Sequence, residues 1–207
     1  MPASSDSSNA PERAAVAAAP VLAGGGIVVY PTETLYALGA DAYHATALQR
    51  LVELKVREPG KPIAVLIGDT DMLRELVAEI PPAAEMLIRR FWPGPLTLVL
   101  RARACLSPLL TGGDGIGVRL SSHPVATGLV RALGHPVTAP SANPAGRRPP
   151  MRVDEARAYF GAQVDCYING GSLPGEPAST VIDVREGLKI IREGAVAAHA
   201  VRASLAV

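Results

Sequence analysis

Ile27-Val28-Val29-Tyr30-Pro31-Thr32-Glu33-Thr34-Leu35-Tyr36-Ala37-Leu38-Gly39 passes from an unbroken apolar run into a loop dense in hydroxyls. The four residues before the proline, three of them β-branched, read as a buried strand. In open α/β sheets, ligands sit where such a strand gives way to a loop. Thr32 and Thr34 serve equally well as turn and cap hydroxyls. The stretch therefore points to an α/β fold and only nominates a site.

Upstream, residues 1–13 are rich in Ser, Ala, Pro and Asn and read as a flexible tail, with one folded domain expected over 14–207. The apolar run 14–30 has almost no basic leader and is interrupted by Pro20 and three glycines. That pattern suits neither a signal peptide nor a membrane span. It predicts a short helix ending at Gly24 to Gly26, ahead of the strand.

Downstream, periodicity predicts helices at 45–55, 71–80, 82–91, 124–133 and 153–160, and a last one in the alanine-rich tail from 195. Apolar runs predict strands at 63–67, 96–101, 115–120, 136–139, 164–168, 179–184 and 188–191. Ser122 is the expected cap of the helix that starts at Pro124, and Gly134 its stop. Phe91-Trp92-Pro93-Gly94-Pro95 reads as an aromatic-anchored structural corner.

The 207 residues are 48% hydrophobic and 19% charged, with 19 Pro and 20 Gly, as in a globular chain with many turns. A net charge of +1 excludes a globally basic nucleic-acid binder but allows a local basic patch. Cys105 and Cys166 have no neighbouring ligand partners and read as buried or neutral thiols in a reducing compartment.

The chemistry-bearing residues fall in loops and at strand ends. Lys55-Val56-Arg57-Glu58-Pro59-Gly60-Lys61-Pro62 sets three cations on a tight turn, which suits a polyanion, although a solvated helix end would look the same. Arg119 breaks an apolar strand and needs either a carboxylate in the fold or an anionic ligand. Ser141 and Asn143, two apart between prolines, would face one ligand if the chain stays extended. Ser179 and Thr180 open one strand, and Arg192 ends another. No Walker A or dinucleotide fingerprint, metal-ligand spacing or Ser-His-Asp order is present. Cations and hydroxyls without an evident nucleophile point to anion binding, with any catalysis by positioning and electrostatics.

Seven motifs occur in order: Tyr30-Pro31-Thr32-Glu33-Thr34-Leu35-Tyr36; Lys55-x-Arg57 with Lys61-Pro62; Phe91-Trp92-Pro93-Gly94-Pro95-Leu96-Thr97; Gly117-Val118-Arg119; Ala139-Pro140-Ser141-Ala142-Asn143; Ser179-Thr180-Val181; and Ile191-Arg192-x-Gly194. Together they resemble the YrdC/Sua5 family of threonylcarbamoyl-AMP synthases, in its short, single-domain form.

The resemblance implies an open, twisted, mixed β-sheet with flanking helices and a concave basic cavity. It implies a cytoplasmic nucleotidyltransferase that converts L-threonine, bicarbonate and ATP, with Mg²⁺ on the nucleotide, to threonylcarbamoyl-AMP and pyrophosphate. Downstream enzymes would pass the threonylcarbamoyl group to adenosine 37 of tRNA, and weak direct tRNA binding is a further expectation. By the same resemblance Lys55, Arg57, Ser141 and Asn143 surround ATP and the reacting carbamate, and Thr34 and Ser179 meet threonine. Arg119 serves the shared anionic region, Arg192 the nucleotide, and Lys61 adds charge.

The sequence departs from the family pattern in three places: Ala37 for Gly, Leu120-Ser121 for Ile-Pro, and Ala145 for Ser. The competing readings are an RNA-binding module with a basic groove and a carbamoyltransferase-type domain.

Overall fold

The computed structural model describes residues 10–56, 60–175 and 177–205. Seven α-helices and ten strands are present among the described residues: α1 (Ala10–Ala23), β1 (Val28–Pro31), β2 (Tyr36–Gly39), α2 (Ala45–Lys55), β3 (Val65–Leu66), α3 (Thr70–Leu76), α4 (Pro82–Phe91), β4 (Leu96–Arg101), β5 (Thr111–Gly112), β6 (Gly115–Arg119), α5 (Pro124–Leu133), β7 (Val137–Thr138), α6 (Val153–Phe160), β8 (Cys166–Tyr167), β9 (Thr180–Asp183), β10 (Lys189–Arg192) and α7 (Ala198–Ala203).

The main sheet runs β10-β9-β4-β6-β3-β7, with β5 paired to β6 as a hairpin, and a smaller sheet runs β2-β1-β8. Parallel pairs (β9 with β4, β3 with β6) alternate with antiparallel ones, so the sheet is mixed as expected. The two sheets are stitched where β2 meets the chain leaving β7. Leu38 N–H donates to Pro140 O (2.8 Å), Thr138 N–H to Ala40 O (3.0 Å) and Ala142 N–H to Tyr36 O (2.8 Å). The two loops singled out in the sequence, after β1 and after β7, are thereby joined side by side.

α1 buries Ala15, Ala18, Ala19 and Leu22, a single face at helical spacing, and packs against α5. Its small side chains suit a close helix contact. The helix begins at Ala10, so residues 10–13 belong to it and not to a tail; residues 1–9 lie outside the described part.

α3 stops at Leu76, short of the expected 80, because Val77 is extended and bridges Ala102 while Ala78 N–H donates to Arg101 O (2.9 Å). Sheet pairing wins over helical periodicity there. The cap of α5 is the His123 imidazole, which accepts from Val125 N–H (3.3 Å), and not Ser122. Gly134 ends that helix in the left-handed region (φ 76°). Trp92 is buried and its indole N–H donates to Leu96 O (2.6 Å), which makes the 91–97 corner structural. Cys105 is exposed and not buried, whereas burial pushes the half-buried Cys166 thiol up.

Candidate functional site

Strand alternation builds the site. In β6 Ile116 and Val118 face the core, while Gly115, Gly117 and Arg119 face a cavity of about 470 Å³. β4 repeats the pattern, with Leu96, Leu98 and Leu100 in the core and Thr97 and Val99 on the cavity side. Beside them Ser179 and Val181 line the cavity, and Thr180 and Ile182 point away. The two glycines leave a low floor. A Cβ on Gly117 would lie 3.2 Å from that of Ala64, and one on Gly115 would lie 2.8 Å from the Arg185 guanidinium.

The loops after β1 and β7 and the chain around Lys61 form the walls, with Thr32, Thr34, Lys55, Lys61, Ser141, Arg185 and Arg192 on the lining. Among the described residues, five cations and no carboxylate line the cavity.

Thr34 is buried, its hydroxyl 3.2 Å from that of Thr32, which itself donates to Leu35 O (2.7 Å). Ser179 is held from two sides. Its hydroxyl lies 3.1 Å from that of Thr97, and Arg192 donates to its carbonyl (2.8 and 3.1 Å) and hydroxyl (3.2 Å). Thr180, on the opposite face, donates to Val196 O and accepts from Gly194 N–H and Val196 N–H. Gly194 passes so close beneath Ala178 that a Cβ would fall 2.1 Å from its carbonyl oxygen, which accounts for the glycine two residues after Arg192.

Lys55 and Asn143 make main-chain contacts that their sequence positions do not announce. Lys55 is buried at the end of α2, and its ammonium donates to the carbonyls of Ser141 (2.6 Å) and Asn143 (2.7 Å). With Ala145 N–H returned to Lys55 O (2.8 Å), it braces the Ser141–Asn143 loop as well as lining the cavity. Asn143 N–H donates to Ser141 O (2.9 Å), a bend in place of the extended chain that would have set both side chains on one face. The Asn143 amide therefore donates to Pro144 O (3.0 Å) and Arg147 O (2.7 Å), and the residue is absent from the lining, where Ser141 is present. Arg57 lies outside the described residues.

Arg119 and Arg192 both face the cavity. Arg192 reaches solvent at its edge, and burial of its head, followed by repulsion from Arg119, lowers its pKa from the ordinary value. Arg119 is only 6% exposed and has Glu33 as its carboxylate neighbour, at 3.8 Å from Nε to Oε1. Neither of those two buried atoms has a hydrogen-bond partner.

Sequence reading missed Thr97, Arg185, Glu33 and Ser121. Arg185 is pinned by Asp183 (3.0 and 2.6 Å) and by a short contact to Asp114, and the Asp183 hydrogen bonds raise its pKa. The alternation Gly115-x-Gly117-x-Arg119 was the available signal for a ligand face on β6. The Ser121 hydroxyl, seen in the sequence only as a lost proline, donates to Glu33 Oε2.

No group of three or more His, Cys, Asp or Glu side chains able to hold a metal is present among the described residues, and no described helix is long and apolar enough to cross a membrane.

Residues 20–194 match the family model Sua5_yciO_yrdC, described as "Telomere recombination". The chain is 40% identical over 163 residues to a threonylcarbamoyl-AMP synthase of Pyrococcus abyssi, covering 78% of this chain and 48% of that protein. It is 36% identical over 176 residues to a threonylcarbamoyl-AMP synthase of Halorhodospira halophila, covering 84% of this chain and 92% of that protein. The structure of P. abyssi Sua5 complexed with L-threonine superposes with a TM-score of 0.90 at 36% identity, over 94% of this chain and 58% of that one. The chain thus spans about half the length of the Pyrococcus relative and most of the Halorhodospira one.

Proposed function

Because the chain belongs to the Sua5/YciO/YrdC family, we propose that it is a threonylcarbamoyl-AMP synthase, joining L-threonine, bicarbonate and ATP with release of pyrophosphate and water. The observation that carries this reading is the convergence on one cavity of Thr34, Lys55, Lys61, Arg119, Ser141, Ser179 and Arg192, which come from separate stretches of the sequence. The threonine-bound relative at 36% identity supports the amino-acid half of the reading.

ATP, bicarbonate and the threonine carboxylate repel one another, so a site that collects them must bring cations and exclude carboxylates. Guanidinium forks suit carboxylate and phosphate oxygens. Arg119, with Thr34 and Ser179, takes the threonine end. Arg192, Lys61, Ser141 and Arg57 take the nucleotide and the carbamate. Lys55 contributes charge and holds the Ser141 loop in place.

Neutral threonine nitrogen attacks bicarbonate carbon and forms the C–N bond, and the amine proton leaves with the bicarbonate hydroxyl as water. A carbamate oxygen then attacks the α-phosphorus and pyrophosphate departs. No His, Asp, Glu or Cys lines the cavity among the described residues, and carboxylate or phosphate oxygens of the substrates are the bases this reading offers for the amine proton. Mg²⁺ would arrive on the ATP phosphates, where it neutralises charge during nucleotidyl transfer. Enzymes that pass the threonylcarbamoyl group to tRNA follow in this reading, in the cytoplasm.

Pyrophosphate release measured with each substrate omitted in turn tests the assignment. Dependence on both threonine and bicarbonate is expected, with threonine preferred over serine by ~1–3 kcal/mol, the worth of one methyl in a fitted pocket. ATP cleavage at the same rate without threonine would contradict it.

A further inference from the structure

We infer that Glu33 is an internal competitor for Arg119, and that the Ser121 hydroxyl holds it back, making Ser121 a positioning residue for the substrate carboxylate. The inference rests on the reading that threonine's carboxylate meets Arg119.

Glu33 lies in the loop after β1, and Arg119 is the last residue of β6. Their nearest atoms, Glu33 Oε1 and Arg119 Nε, are 3.8 Å apart, and both are buried without a hydrogen-bond partner. A guanidinium and a carboxylate free to meet out of water would close to about 2.7–2.9 Å. Leaving both atoms unsatisfied is costly, so something must hold the pair open.

Ser121 is the group placed to do so. Its hydroxyl donates to Glu33 Oε2, pulling the carboxylate along its other oxygen. The same hydroxyl oxygen accepts from His123 N–H (3.1 Å), which fixes the direction of its proton. The Ser121 carbonyl accepts from the Thr127 hydroxyl (2.9 Å), so the restraint is anchored in the first turns of α5. Ser121 itself is 1% exposed. Glu33 thus offsets the Arg119 charge from a distance, without a hydrogen bond to the Nε that faces it.

Removing the hydroxyl and removing the carboxylate therefore have opposite effects. Without the hydroxyl, Glu33 closes on Arg119 and competes with the substrate. Without the negative charge, Arg119 is left buried and uncompensated, which weakens the empty protein and strengthens anion binding.

Calorimetric titration of L-threonine into wild type, Ser121→Ala, Glu33→Gln and the double variant, with melting temperatures alongside, tests this. Ser121→Ala is expected to bind about tenfold more weakly, the scale of one charge-assisted hydrogen bond. Glu33→Gln is expected to melt lower yet bind more tightly, and the double variant to match Glu33→Gln because no carboxylate remains to close. A purely structural role would weaken binding in all three. Unchanged affinity in Ser121→Ala, or weakened affinity in Glu33→Gln, overturns the inference alone. The sign for Glu33→Gln decides the matter even if Ser121→Ala fails to fold. Wild type that binds no threonine overturns the substrate reading and this inference with it.

Discussion

Lys55 and Arg119 are both cations buried to within a few per cent of complete, at 4% and 6% exposure, and both face the same cavity. The fold treats them in opposite ways. Lys55 donates hydrogen bonds to two main-chain carbonyls of the Ser141–Asn143 loop, whereas Arg119 keeps a buried donor unmatched and a carboxylate just out of reach. Burial alone thus does not mark a ligand contact. What separates a brace from a binding group is whether the protein has already supplied the acceptor.

The largest effect that tests this contrast is on Lys55. Lys55→Met should lower turnover by about a hundredfold or more. It should also lower stability by ~2–4 kcal/mol, since two buried carbonyls lose their donor, or about 5–10 °C in melting temperature. A variant that loses turnover at unchanged melting temperature would place Lys55 with Arg119, as a group spent on substrate.

Next comes the loop that Lys55 holds. Ser141 lines the cavity, so Ser141→Ala should cut turnover by ~10–100-fold with little change in stability, the loss of one aimed donor. Asn143 ties down 144–147, so Asn143→Ala should cost ~1–3 kcal/mol of stability, and its activity loss should shrink on cooling well below the melting temperature. Equal turnover losses at equal stability would show that both side chains meet the substrate.

The asymmetry between these two residues also shows what the sequence carried. Helices α2, α4, α5 and α6 matched their periodicity because each buries one regular stripe, and β4 matched because its alternation is unbroken. The joining of the loops after β1 and β7 was not legible. It depends on backbone pairing between residues about a hundred positions apart, such as Ala40 with Thr138. The orientation of Asn143 was not legible because the bend over Ser141–Asn143 is held by Lys55, which reaches those two carbonyls from 86 and 88 positions away. Glu33 and Ser121 were overlooked for the same reason: each looks like ordinary turn chemistry until the fold sets them together.

A smaller effect lies at the end of α2. Val56, 73% exposed, closes that helix with φ 47°, a left-handed conformation that a β-branched side chain adopts only under strain. Val56→Gly should raise stability by roughly 0.5–1 kcal/mol in urea unfolding, after the added chain entropy of glycine is subtracted. A loss of stability would mean that the left-handed cap does not store that strain.

The most direct test compares melting temperatures of wild type, Lys55→Met and the double variant Arg119→Met/Glu33→Gln, each with and without saturating L-threonine. The double variant removes both members of a poorly matched buried pair, so without ligand it should melt at or above wild type. It should lose the rise that threonine gives wild type through binding to the folded state. Lys55→Met should melt lower from the start. If the double variant instead melts as low as Lys55→Met, or keeps the full threonine shift, Arg119 is not the cation that this fold holds open for its substrate.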